Sequence, residues 1–372
     1  MVILIENRLA QLRKSIAKEN IDGLLVLVAE NRHYLSGFTG EDTQFDESAG
    51  ALIISDANLT LATDSRYELQ AKNEASLYEV TTYKESLAKK IPQILDGMQI
   101  KTLGFESNRI SYKQYNDISR ELKKIDSPVK LKPTENLVEN LRIIKTDPEI
   151  DAIKASLSIA ESAFTDCLQI IRPGITEREN AWEMEKRLRE AGADSLSFPI
   201  IVAAGSNSAL PHAIPGSRKI KAGEPLLFDW GVKFKGYCSD ISRTVVIGKP
   251  DKTFEKVFQT VFDAQRMAID AVKPGISSKA VDEIARNYIN ARGFEGKFGH
   301  GLGHGTGLAI HEAPRLSPIK DIPLQIGMVS TIEPGIYLPG WGGVRLENMI
   351  VVRKDGAEVL NGLDVANYQL EI

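Results

Sequence analysis

Cysteine is nearly absent: Cys167 and Cys238 are the only two in 372 residues. They build no disulfide framework, and their scarcity fits a reducing compartment. Long apolar runs are missing too. The longest, Leu24–Ala29, falls far short of the roughly 20 residues that a membrane-spanning helix needs. Met1–Ile5 is apolar, but Glu6 and Arg8 follow at once without a small-residue cleavage pattern. A signal peptide is therefore not expected, and the cytoplasm is the expected location. Neither sign of charge is in excess: 46 basic against 50 acidic residues leave a formal charge of −4, which argues against a nucleic-acid partner. Histidine is scarce as well, five in all, yet four of them lie between His212 and His311.

The length predicts two domains. Residues 1–132 read as an α/β unit with a mixed sheet. Leu9, Leu12 and Ile16 recur at helical spacing, and Gly23–Ala29 reads as a buried strand. Gly50–Ile54, Thr60–Thr63 and Thr102–Phe105 are further strand candidates, while Ser86–Met98 and Tyr112–Lys124 carry helical periodicity. Lys132-Pro-Thr-Glu135, polar and interrupted by proline, reads as the boundary to a second domain over 133–372. A helix start follows at Thr146-Asp-Pro-Glu149, with a capping residue, an early proline and a glutamate three residues on.

The second domain contains a repeat. Arg172-Pro-Gly-Ile-Thr176 returns as Lys273-Pro-Gly-Ile-Ser277, and Gly192 matches Gly293, both at an offset of 101. Gly223–Gly231 aligns with Gly327–Gly335 at 104, and Gly236–Asp240 with Gly343–Glu347 at 107. Two copies of about 100 residues, too long for a solenoid unit, predict one pseudo-twofold α+β domain.

The repeat pairs acid with acid: Asp229 with Glu333, and Asp240 with Glu347. All four lie in strand-like segments where a lone carboxylate is costly to bury. Parity puts Asp229 and Asp240 on one sheet face if the intervening loop is even; Glu333 and Glu347 need an odd loop or a bulge. Singly, each acid reads as a surface or ion-paired group, with Arg243 and Arg345 as candidate partners. Four at matched positions read instead as a cation site, since they would otherwise repel. His304 supplies a nitrogen donor. It lies in Phe298–Gly307, where glycine at alternate positions leaves His300, Leu302, His304 and Thr306 on one face of an extended chain and bare backbone on the other. His212, in a loop by composition, and His311, an odd step from His304, are left to orient substrate. His300 stays ambiguous. One imidazole and four carboxylates form a hard set suited to two divalent ions such as Mn²⁺, with Co²⁺, Fe²⁺ and Zn²⁺ as alternatives. That chemistry is metal-assisted hydrolysis.

From about residue 135 to 360 the chain resembles the pita-bread metallopeptidases: methionine aminopeptidase, aminopeptidase P and prolidase. The resemblance rests on Asp229-Trp-Gly231, Asp240-Ile-Ser-Arg-Thr244, Gly303-His-Gly305, His311-Glu312, Thr331-Ile-Glu-Pro-Gly335 and Gly343-Val-Arg-Leu-Glu-Asn348. It implies Asp229, Asp240, His304, Glu333 and Glu347 as ligands of two metal ions, with Asp240 and Glu347 bridging and Glu333 also as general base. It further implies that His212 and His311 contact substrate and that Arg345 buttresses the site. Asn31–Gly40 and Thr63–Tyr67 resemble the N-terminal domain of creatinase, prolidase and aminopeptidase P, and the intact ligand set disfavours metal-free creatinase itself. The expected activity is cleavage of an N-terminal residue from a following proline (Xaa-Pro aminopeptidase), by a homodimer. The alternative is an Xaa-Pro dipeptidase, or prolidase. A catalytically dead peptide-binding relative and a phosphoester hydrolase are disfavoured, the first by the intact ligands, the second by the lack of a phosphate-cradling loop.

Overall fold

The computed structural model describes residues 2–42, 44, 47–124 and 129–370, and its two compact units meet in sequence at Arg142 and Ile143. In the first unit, Leu9, Leu12 and Ile16 form the buried stripe of helix Val2–Lys18. The sheet beside it is mixed. Its central strand, Gly23–Val26, pairs antiparallel with Ala51–Ser55 and parallel with Thr102–Glu106. Leu59–Thr63 and Glu79–Thr82 extend one side of it, and Lys130–Thr134 closes the other.

Two expectations need correction here. The central strand stops at Val26 because the Leu27 and Val28 amides donate to the buried Glu106 carboxylate, at 2.6 and 2.7 Å, and helix Ala29–Ser36 starts at once. The proline-interrupted segment at 132–135, read from sequence as the domain boundary, overlaps strand Lys130–Thr134 of the first unit's sheet, and the chain divides ten residues later, at 142 against 132. Pro133 sits on the sheet's outermost strand, opposite Phe105, where a missing N–H costs least.

The second unit is built from two matching halves. Each begins with two helices: Asp147–Leu168 and Glu177–Glu190, then Lys252–Ala271 and Ser278–Ile289. The first of these carries the expected capping box between Thr146 and Glu149. The matched Pro-Gly turns make matched contacts. The Gly174 amide donates to the Ile220 carbonyl at 2.9 Å, and the Gly275 amide to that of Leu324 at 2.7 Å.

The sheets repeat as well. Strands Ile201–Ala204, Leu226–Trp230 and Ile241–Ile247 lie in that order in one, and Gly303–Gly305, Val329–Ile332 and Asn348–Arg353 in the same order in the other. Each half has one long hairpin. In the first, Asp229 faces Ser242 and Phe234 faces Tyr237, so one register runs unbroken to the two-residue turn at Lys235 and Gly236, both at positive φ. In the second, Ile332 faces Asn348 and Leu338 faces Gly342, again in one register, around the three residues Pro339–Trp341. The turns are thus even and odd, as parity requires, and both acid pairs come to the same face of their own hairpin.

Candidate metal centre

Asp229 points from the first hairpin opposite Ser242, and Asp240, two residues before Ser242, shares that face. Glu333 and Glu347 lie directly beyond the Ile332–Asn348 pair of the second hairpin. One carboxylate oxygen from each of Asp229, Asp240 and Glu347 lies within 4.8 Å of the others. The His304 Nε2 atom lies 3.4 Å from Asp240 Oδ2 and 3.5 Å from Glu333 Oε1. All five residues predicted from the repeat and the alternating-glycine segment therefore meet in one patch.

His304 is in place because its strand lies beside Val329–Ile332: its amide donates to Thr331 Oγ1 at 3.0 Å. Its Nδ1 lies 3.0 Å from the Gly305 carbonyl oxygen, which can only accept. That bond places a ring hydrogen on Nδ1 and turns Nε2 to the acids. The glycines beside it serve close packing of backbone. A Cβ on Gly303 would lie 2.0 Å from the Thr331 carbonyl oxygen, and one on Gly305 2.1 Å from that of Ala313. The predicted four-residue face is only partly realised. His300 and His304 line the site cavity, but Leu302 belongs to the apolar core, because the regular strand spans only Gly303–Gly305 and a register shift follows His304.

The electrostatics of the patch are severe. Burial, then the charges of Asp229 and Glu333, hold the Asp240 carboxyl well above the usual carboxylate range. Burial, then Asp240 and Glu333, do the same for Glu347, and Glu333 is also raised, again mainly by burial. Asp229 is answered by Arg345 at 2.6 Å. Arg345 also donates to Ser242 Oγ at 2.8 Å, and that hydroxyl donates to Glu347 Oε2 at 2.9 Å. Arg243 is not a partner of Asp240. Its guanidinium is held by the carbonyls of Ser242, Glu347 and Leu363 and by the Asn348 side chain. Asp229 Oδ1 and Glu347 Oε1 remain buried without a hydrogen bond. Orphan carboxylate oxygens, an imidazole lone pair and clustered acids coexist at low cost only around shared positive charge, so the donor set fits divalent cations. Its hard oxygen character suits Mn²⁺, Co²⁺, Fe²⁺ or Zn²⁺.

The patch lines a cavity of about 500 Å³, within the range of small-ligand sites. His212 and His311 are exposed on its wall, as are Ile214 and Arg315. His311 stands edge-on to His304 with ring centres 4.5 Å apart. Desolvation and then His304 push the His311 imidazole down to about 4, so it is neutral at neutral pH. Tyr337 was not foreseen. Its hydroxyl lies 2.9 Å from both Arg345 and His300 Nε2, tying the ambiguous histidine to the site's arginine. The signal for it was Gly335 and Gly343, which share its hairpin face: a Cβ on either would come within 2.7 Å of the Tyr337 side chain.

A family model described as "Metallopeptidase family M24" matches residues 151–354, which contain all five candidate ligands. The chain belongs to this family. A second model, "Creatinase/Prolidase N-terminal domain", matches residues 8–144. An "Xaa-Pro dipeptidase" of Pyrococcus horikoshii is 36% identical over 92% of this chain and 93% of its own. The solved "Xaa-Pro dipeptidase from Bacillus anthracis" is 38% identical with a TM-score of 0.92, covering 98% of this chain and 100% of that one. The "X-Pro aminopeptidase from Thermotoga maritima MSB8" is 35% identical with a TM-score of 0.88, covering 97% and 99%. This M24 chain is thus a metallopeptidase with a creatinase-type N-terminal domain, as the sequence resemblance implied. Between the two activities weighed from sequence, the relatives' names favour the dipeptidase, which was the alternative there. Among the described residues, no helix is long and apolar enough to cross a membrane.

Proposed function

We propose that the protein is an Xaa-Pro dipeptidase acting with two divalent metal ions, Mn²⁺ by the hardness of its donors. Asp229, Asp240, His304, Glu333 and Glu347 would hold the ions. When bound, such ions acidify a water and polarise the scissile carbonyl. The chain's own residues do the rest. Glu333, a partly buried carboxylate held by Thr331 Oγ1 at 3.1 Å, would receive the water's proton and pass it to the leaving proline nitrogen. His212 and neutral His311 donate hydrogen bonds to the reacting carbonyl from the cavity wall. Arg345 fixes Asp229 and, through Ser242, Glu347.

The observation that carries the dipeptidase reading is Arg315. It lines the cavity, and no ion pair engages it among the described residues, whereas Arg345 is committed to Asp229. An arginine free to grip a carboxylate suits a substrate whose C-terminus lies one residue past the cleaved bond.

A peptide panel tests the reading. With Mn²⁺, Xaa-Pro should be cleaved with a higher kcat/KM than Xaa-Pro-Yaa, and Met-Ala-Yaa should resist. Preference for Xaa-Pro-Yaa would restore the aminopeptidase reading, and equal cleavage of Met-Ala-Yaa would remove proline specificity. In addition, Arg315→Ala should raise KM for Xaa-Pro by roughly tenfold to a hundredfold, the worth of a charged hydrogen-bonded pair, and leave kcat nearly unchanged. An unaltered KM would rule out the carboxylate grip.

A further inference from the structure

His212 stands in a long connection between strands Ile201–Ala204 and Leu226–Trp230, preceded by a short turn at Gly205–Ala209. Such a loop cannot place an imidazole without being held. The stretch 204–216 that carries His212 is tied at both ends to one side chain outside it. Glu177, the first residue of helix Glu177–Glu190, is fully buried. Its Oε1 accepts the Ala204 amide at 2.8 Å and its Oε2 the Gly216 amide at 3.1 Å. The Asn207 side-chain amide reaches both oxygens, at 3.0 and 3.2 Å. The nearby Arg218 guanidinium is engaged by Glu224, at 2.6 Å. The carboxylate therefore receives hydrogen bonds from the start, the turn and the end of the segment that carries His212.

From this geometry we propose that Glu177 is a positioning residue for catalysis, a clasp that sets the His212 loop against the metal centre. The proposal rests on the reading of His212 as a substrate contact. Charge and shape both matter. A carboxylate offers acceptors on two sides, and two backbone N–H groups 12 residues apart in sequence (204 to 216) use them. The repeat sharpens the point. At the matched position of the other half stands Ser278, whose hydroxyl accepts only one backbone amide, that of Ile322 at 3.1 Å. The other half supplies His304 directly from a strand and needs no clasp of this kind.

Glu177→Gln keeps size but turns an NH₂ group to either the Ala204 or the Gly216 amide, so one end of the loop is released. Displacing a substrate-contacting group by about 1 Å can cost as much as 10²-fold in rate. The experiment compares wild type, Glu177→Gln, His212→Ala and the double variant on Xaa-Pro in the metal-loaded protein, together with metal content, melting temperature and amide exchange over residues 204–216. Expected are full metal content, faster exchange confined to that loop, and a drop in kcat/KM of roughly tenfold to a hundredfold. In the double variant the loss should be no greater than in His212→Ala alone. Ser278→Ala, the matched control, should lower the melting temperature without touching kcat/KM.

A wild-type kcat/KM in Glu177→Gln, or a loss that multiplies with that of His212→Ala, would overturn the clasp. Should Glu177→Gln fail to fold, Asn207→Ala removes one of the same contacts and must show the same non-additivity with His212→Ala. Wild-type turnover in His212→Ala would instead remove the role proposed for His212, and the clasp with it, whatever Glu177→Gln does.

Discussion

Glu347→Gln is expected to bind metal at least ~100-fold more weakly, since loss of a ligand should exceed the 10–100-fold cost of losing a ligand's supporting contact. Activity should fall with it. The same variant should make the chelated protein more resistant to heat. Burial and the Asp240, Glu333 and Asp229 charges hold the Glu347 carboxyl well above its ordinary range in the fold. A raised carboxyl keeps its proton in the folded state while the unfolded chain has already given it up. Stability without metal is therefore highest in acid and falls as the pH rises from the ordinary carboxylate range through the folded value. Asp240 contributes in the same direction. Metal analysis and melting curves of the chelated protein between about pH 5 and about pH 8 check both parts. Wild-type should lose melting temperature across that window more steeply than Glu347→Gln. Unchanged metal content in the variant would refute the ligand assignment, and a steeper slope in it would refute the electrostatic account.

Lys145→Met should be strongly destabilising although it lies outside the metal centre. Lys145 Nζ lies 2.9 Å from Glu312 Oε2, with side chains only 2% and 7% exposed. Removing one partner of a buried ion pair costs about 3–5 kcal/mol because the other charge is left in a poor solvent. For a domain of this size that lowers the melting temperature by roughly 10 °C. The pair also shapes the segment that carries His311. Glu312 Oε1 accepts the Ala309 amide at 3.0 Å, while the Gly307 carbonyl accepts the Cys238 amide at 2.8 Å. Activity should thus fall even below the melting transition. Combining Lys145→Met with Glu312→Gln should recover part of the lost stability, because the opposite buried charge is then removed as well. Calorimetry of the single and double variants decides it. A shift of less than about 2 °C in Lys145→Met would mean the pair is solvated in practice.

Much of the site could be read before any coordinates. The offsets of 101, 104 and 107 placed Asp229 with Glu333 and Asp240 with Glu347, and strand parity stated which turn had to be even and which odd. Both turns obey, because a strand's faces alternate with a period of two that a loop cannot alter without a residue gained or lost. The failures are instructive for the same reason. Gly23–Ala29 is one apolar run in sequence, but a carboxylate from Glu106, nearly 80 residues away, takes its last amides and ends the strand. Arg243 and Arg345 stood near Asp240 and Glu347 in sequence. Strand direction sends one guanidinium to carbonyl oxygens and the other to Asp229. Tyr337 left only an indirect mark, two glycines opposite a ring.

The sequence by itself determined the two matched halves and which acids and imidazole were the candidates for a divalent-metal centre. Local periodicity and repeat spacing encode these, and both are properties of the chain alone. Only the tertiary structure decided what surrounds them. Arg345 answers Asp229, Glu177 holds the loop of His212, Lys145 secures Glu312, and Arg315 lines the cavity wall without an ion pair among the described residues. Each of these depends on side chains from remote segments reaching the same few ångströms. No spacing rule carries that, because hydrogen bonds and ion pairs are selected by distance in space and not by order along the chain.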